Sequence, residues 1–192
     1  MKRNKAPDIK TENALNIPYV KIILCLFLIC TICAGLLGTT YILTRDTILE
    51  NEKATVQKLL ISIYGDDAVF ESDVTVPEGQ KAEAVYLAKN PDASLRGYAI
   101  RVLSPGFSDD IDMIVGFNAD GTIRKIEIIA LSETAGLGTK VAESNYLAQY
   151  VGKSDKLALK TDIDAISGAT KSSRAVLNGV NLATECLKAL GA

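Results

Sequence analysis

Between Ile22 and Thr44 the chain carries no charged residue, and this run limits its folding more than any other feature. As a helix it would extend ~34 Å, enough to cross the ~30 Å hydrocarbon core of a bilayer. Tyr19 and Tyr41 fall near its two ends, where amphipathic rings favour the membrane interface. Lys2, Arg3, Lys5, Lys10 and Lys21 precede the run, against only Asp8 and Glu12. That bias predicts an N-terminus inside the cell and the bulk of the chain outside, although Arg45, Lys53 and Lys58 follow the run. A cleaved signal peptide fits less well, because the run exceeds an ordinary h-region and no small-x-small site stands out. Neither Cys30 nor Cys33 follows the small residue that lipid attachment requires. The expectation is an uncleaved, single-pass anchor in the cell membrane.

The remainder is acidic and of ordinary domain size, which with the absence of a recognisable motif argues against nucleic acid as a partner. Cys25, Cys30 and Cys33 all lie within the apolar run, leaving Cys186 alone in the domain, so no disulfide can form inside it. In a membrane helix such cysteines act as small apolar side chains, although Cys30 and Cys33 share one face.

Past the membrane, Ile48, Leu49, Val56, Leu59, Leu60 and Ile63 recur at helical spacing up to Gly65, and Arg45 to Tyr64 reads as an amphipathic stalk. Asp66 to Gln80, with Pro77 and Gly79, reads as a loop or linker. Four runs then have strand character: 82–88, 96–103, 111–117 and 122–131, the last two joined by the turn Asn118-Ala119-Asp120-Gly121. Alternation in the fourth run suits an antiparallel sheet with one covered face. A Gly-rich loop, 132–140, precedes a helical piece at 141–150, and 171–190 reads as a final helix with Val176, Val180, Ala183, Leu187 and Leu190 on one face. The predicted class is α+β: residues 1–21 a tail, 22–44 the span, 45–80 stalk and linker, and 81–192 an antiparallel-sheet domain flanked by helices.

The sequence has no histidine, which removes the commonest general base and metal ligand, and metal-ligand cysteine pairs are absent too. Asp109, Asp110 and Asp112 read as solvated loop charges rather than a cation site. Any chemistry in this domain is therefore expected of a bound cofactor. Read by physics alone, Ser167-Gly168-Ala169-Thr170, followed by Ser172 and Ser173, is a turn with Ser or Thr capping a helix, and 133–140 is a plain connection. A helix start nonetheless favours phosphate, and small residues let a bulky partner approach the backbone.

Two segments taken together, Asp164-Ala165-Ile166-Ser167-Gly168-Ala169-Thr170 and Ser132-Glu133-Thr134-Ala135-Gly136-Leu137-Gly138-Thr139-Lys140, point further. The first resembles the site where a flavin transferase esterifies the phosphate of FMN onto a threonine. The second resembles the Glu-Thr-Pro-Gly-Leu-Gly loop that lies against the flavin in the same domain. Behind a single membrane helix, they make the chain similar to the G subunit of Rnf-type ion-translocating electron transport complexes. The C subunit of the sodium-translocating NADH:quinone oxidoreductase shares that FMN-binding domain. The resemblance implies FMN joined by a phosphoester to Thr170, with Lys171 adding charge beside the phosphate. It implies that the transferase reads Asp164, Ser167, Gly168 and Ala169, and that Glu133, Thr134, Gly136, Leu137 and Gly138 line the isoalloxazine. It further implies an electron relay among membrane, iron–sulfur and flavin subunits that couple ferredoxin:NAD electron transfer to export of Na⁺ or H⁺. Ala135 departs from the pattern, where proline would pre-set φ. Alternatives are the quinone-reductase C subunit, a stand-alone extracytoplasmic flavoprotein and, from a different class, an anchored scaffold without cofactor.

Overall fold

The computed structural model describes residues 17–191; most of the basic tail lies outside them. Helix α1 (Ile17–Tyr64) is shared between two compact units, one ending at Asn51 and the other starting at Glu52. In the first unit, Ile22 to Leu43 is exposed along its whole length and is long and apolar enough to cross a membrane. Its threonine hydroxyls donate to carbonyls four residues back: Thr31 to Phe27 (2.8 Å), Thr39 to Gly35 (2.8 Å) and Thr40 to Leu36 (2.9 Å). Polar groups satisfied within the segment are what hydrocarbon demands.

The second unit is built on a five-stranded antiparallel sheet in simple sequence order: β1 (Val69–Val74), β2 (Ala84–Lys89), β3 (Leu95–Pro105), β4 (Asp110–Asn118) and β5 (Ile123–Ala130). Four strands fall where the runs of strand character placed them, within a residue or two. The turn at 118–121 also forms as expected, the Gly121 N–H donating to Asn118 O at 3.0 Å. The fifth strand, β1, corrects the reading of Asp66–Gln80 as linker: Val69 to Glu71 pair with Leu87 to Lys89 before a register shift. Its short apolar content amid acidic residues hides it from pattern alone.

Both faces of the sheet are covered, where the sequence suggested one. Every residue of β4 from Ile111 to Phe117 is buried, because odd-numbered positions face one core and even-numbered ones the other. Ile111, Met113, Val115 and Phe117 join Ile100, Val102 and the apolar face of α3 (Thr170–Ala189), on which Val176, Val180, Ala183 and Leu187 are buried. On the reverse face Ile114, Ala99 and Ala88 meet Val56, Leu60, Ile63 and Tyr64. The end of the expected stalk therefore belongs to the domain's own core. An ion network marks its start: Arg101 grips Asp112 (2.6 Å) and Glu52 (2.6 Å). Such a bidentate Arg–carboxylate contact is oriented as well as attractive.

Between β5 and α3 the helical piece expected at 141–150 is broken into a 3₁₀ turn (Gly138–Ala142), α2 (Ser144–Leu147) and a second 3₁₀ turn (Ala148–Tyr150). Glu143, with extended backbone (φ −67, ψ 138), interrupts it. Tyr146 and Tyr150 anchor the segment in the core, their hydroxyls 3.2 Å apart.

Candidate functional site

Three separate segments meet at the start of α3: the β3–β4 loop, the loop after β5, and the turn leading into the helix. They enclose a cleft of about 350 Å³, lined by Phe107, Glu133, Thr134, Leu137, Gly138, Gly168, Ala169, Thr170, Lys171 and Ser172. Eight of the residues that the sequence singled out line this cleft. Asp164, Ser167 and Gly136 do not: all three are exposed on adjoining turns, and the Asp164 N–H donates to Gln149 Oε1 at 2.8 Å.

The loop after β5 owes its shape to local bonds. The Thr134 carbonyl accepts from the N–H groups of Leu137 and Thr139 (both 3.2 Å), and Thr139 Oγ1 accepts from Gly136 N–H at 3.0 Å. This curl turns Leu137, 40% exposed, toward the cleft as an apolar wall. Glu133 below it is buried, and its two oxygens tie two different segments together. Oε1 accepts from Phe107 N–H (2.6 Å) and Oε2 from the Ser172 hydroxyl (2.8 Å). Gly138 must lack a side chain here, since a Cβ would stand 2.9 Å from Glu133 Oε2 and 3.1 Å from Ser172 Oγ.

At the other wall α3 begins at Thr170. The expected Ser or Thr cap is not formed: the capping position is Ala169, with no side-chain hydrogen bond. The first N–H groups of the helix therefore receive no side-chain acceptor from the cap, and the exposed Thr170, with Lys171 and Ser172, lines the cleft. Ser173 Oγ instead accepts from Ile166 N–H at 3.0 Å and pins the turn to the helix. Gly168 adopts φ +80 and meets Leu137, a Cβ there lying 3.0 Å from Leu137 Cδ1. The approach of the two loops thus uses the small residues of both motifs.

Of the two further lining residues, Phe107 escaped the sequence reading, and Ser172 was read only as part of a helix start. Phe107 is 61% exposed, its backbone held by Glu133 and its ring covered by Lys171 Nζ at 5.1 Å from the centroid. An aromatic residue in an otherwise polar loop, Gly106-Phe107-Ser108-Asp109, was the available signal. The Ser172 hydroxyl shows itself only through its fold partner, Glu133.

The cleft coincides with a recognisable family pattern. Residues 106–185 match the FMN-binding domain, and residues 23–63 match the RnfG N-terminal region. The G subunit of an ion-translocating oxidoreductase complex from Haemophilus influenzae is 32% identical over 171 residues, covering 79% of this chain and 80% of that protein. The chain belongs to the RnfG family. The G subunit of the Na⁺-translocating ferredoxin:NAD⁺ oxidoreductase complex of Acetobacterium woodii is 29% identical over 187 residues, or 86% of this chain and 89% of its relative. The crystal structure of Shewanella oneidensis NqrC aligns with a TM-score of 0.47 and 21% identity, over 57% of this chain and 62% of that one. As an RnfG protein, the chain is one component of a multi-subunit Rnf complex and carries an FMN-binding domain behind one long apolar helix.

The cleft fits the flavin group that this domain implies. Its volume lies at the lower end of the ~300–1,000 Å³ that ligand pockets occupy. Phe107 and Leu137 supply exposed apolar surface for a flat ring, and Gly138 and Gly168 let Glu133, Ser172 and Leu137 pack closely into the cleft walls. The uncapped start of α3 suits a phosphate.

Proposed function

We propose that this chain holds FMN through a phosphoester to Thr170 Oγ and relays electrons between neighbouring redox centres of an Rnf-type complex. The observation that carries the reading is the place of Thr170: an exposed hydroxyl on the first residue of α3, lining the same cleft as Lys171 and Leu137. Bound FMN would supply the one- and two-electron chemistry of the relay.

The chain's own residues present, hold and shield. Ser167, Gly168 and Ala169 keep the approach to Thr170 unobstructed for a separate flavin transferase, and the exposed Asp164 is available for that enzyme to read. In the transfer, which the separate enzyme would catalyse, the Thr170 Oγ–P bond would form as a phosphoanhydride bond of an activated flavin nucleotide breaks, the other phosphate-bearing half leaving with the electron pair and the hydroxyl proton passing to solvent. The ester phosphate keeps one negative charge, suited to the N–H groups of the first α3 turn and to the exposed Lys171 and Arg174. Leu137 and Phe107 exclude water from the ring faces, and Glu133 and Thr134 fix the loop that carries one of those walls. The tail (1–21) lies in the cytoplasm, 22–44 spans the membrane, and the domain works outside, a reading supported by the charge bias around the span. Covalent attachment there prevents loss of the cofactor by dilution. The uncharged span leaves this helix without a group for moving ions, so Na⁺ or H⁺ export, coupled to electron flow from ferredoxin to NAD, belongs to other subunits.

The test is Thr170→Ala in the full chain, co-expressed with a flavin transferase. Wild type gains the mass of one FMN phosphoryl adduct and fluoresces in a denaturing gel, and the variant loses both signals. Equal fluorescence in the variant would overturn the assignment.

A further inference from the structure

Glu133 is a carboxylate in an unusual position. It is only 8% exposed, and among the described residues no Lys or Arg pairs with it. Its oxygens are answered by two neutral donors, the Phe107 N–H and the Ser172 hydroxyl. These bonds join the β3–β4 loop to α3, and the residue lines the cleft that also holds Thr170. We propose that Glu133 is a positioning residue whose buried negative charge holds down the reduction potential of a flavin bound in this cleft, an inference that rests on the FMN reading above.

The physical argument is one of screening. A charge away from water acts through a lower effective dielectric, and mobile ions weaken it little. Reduction adds electrons to the ring system, and an unscreened negative neighbour disfavours each of them. Lys171 has the opposite sign on the same cleft, but it is exposed, with its ammonium over the Phe107 ring, so solvent discounts its effect. Among the charged side chains lining the cleft, Glu133 is therefore the one least screened by solvent, and the positive end of α3 is the same in every variant compared below. Structural bracing and electrostatics can be told apart because a serine hydroxyl both donates and accepts. In Glu133→Gln the amide oxygen still accepts from Phe107 N–H, and the amide NH₂ donates to Ser172 Oγ. The charge disappears while both bonds remain. In Ser172→Ala the charge remains and loses one of its donors.

The experiment is a spectroelectrochemical titration of full-length, flavin-loaded protein in detergent, with intact mass recorded on the same samples. Glu133→Gln is expected to keep the mass increment and raise the midpoint potential; Ser172→Ala is expected to lower it. A merely structural loosening would move both variants the same way. A Glu133→Gln potential at or below wild type overturns the proposal. Should that variant fail to fold, Ser172→Ala decides alone, and a potential that does not fall overturns it. Wild-type protein without a mass increment would instead refute the FMN reading and is distinguishable from either result.

Discussion

Tyr64→Phe tests the structure's main departure from a helix that merely leads to a domain. Tyr64 ends α1 and is 2% exposed. Its hydroxyl accepts from Phe117 N–H at 3.1 Å and lies 2.6 Å from Tyr98 O and 2.9 Å from Phe117 O, to which it can donate. The site exists because the β4–β5 ladder shifts register between Gly116 and Phe117. It also needs Gly116, where a Cβ would stand 2.4 Å from Ile63 Cγ2. Phenylalanine keeps the ring, its tilted contact with Phe70 (centroids 6.2 Å apart) and the Arg124 guanidinium 5.5 Å from its centroid. What is lost is one oxygen, and with it the acceptor of a buried N–H. A buried donor left unsatisfied costs ~1–3 kcal/mol, so the expected loss is about 2 kcal/mol. For a unit of this size that corresponds to a melting-temperature drop of roughly 5–8 °C. Far-UV circular dichroism of the full chain in detergent, against urea and against temperature, measures it, with Tyr41→Phe on the exposed first unit as the control that stays at wild type. A loss below about 0.5 kcal/mol, under the net worth of a single hydrogen bond, would refute the claim that this hydroxyl closes the sheet.

Two other outcomes follow from the same structure. Gly138→Ala forces a methyl between Glu133 and Ser172 and is expected to cost about 1–3 kcal/mol, as overpacking does, together with a lower flavin-loaded fraction by in-gel fluorescence; unchanged loading and stability would contradict the cleft geometry. Burial pushes the phenols of Tyr64 and Tyr150 up, so the unfolded chain loses these protons first, near pH ~10. Stability is then level below that value and falls as pH rises above it, and Tyr64→Phe should flatten the fall in melts recorded from about pH 8 to 11.

What the sequence revealed depended on how local the cause was. The long apolar helix, the α3 stripe and the 118–121 turn each arise from neighbours in the chain, and each helix or turn forms where charge pattern, periodicity and turn chemistry put it. β1 and the second covered face did not, because both depend on partners far away. Val56, Leu60 and Ile63 look the same in sequence whether they form a stalk stripe or one side of a sheet core. Lys125 and Glu127 made one face of β5 look solvated, yet they pair with each other (2.8 Å) at the edge of that core, and Ser62 bonds to both. The site divides the same way. Its two motif loops were legible through their resemblance to the FMN-binding family, since by physics alone one reads as a capped turn and the other as a plain connection. Phe107 and Ser172 became visible only when folding brought the β3–β4 loop and α3 to Glu133.

The two cores also explain how one small domain can hold both the end of a long apolar helix and the cleft of an FMN-binding domain. The end of α1 packs on one face of β4, through Ile114, while α3 packs on the other, through Met113 and Val115. Strand β4 is thus the shared wall, and neither helix needs side chains from the other to be held. Perturbations on the two faces touch different partners, and effects at sites without shared partners add. Loosening the α1 face through Tyr64 should therefore leave the cleft's own contacts, Glu133 to Phe107 and Ser172, in place. A sheet covered on one side only could not hold the two helices apart in this way, because α1 and α3 would compete for the same apolar surface.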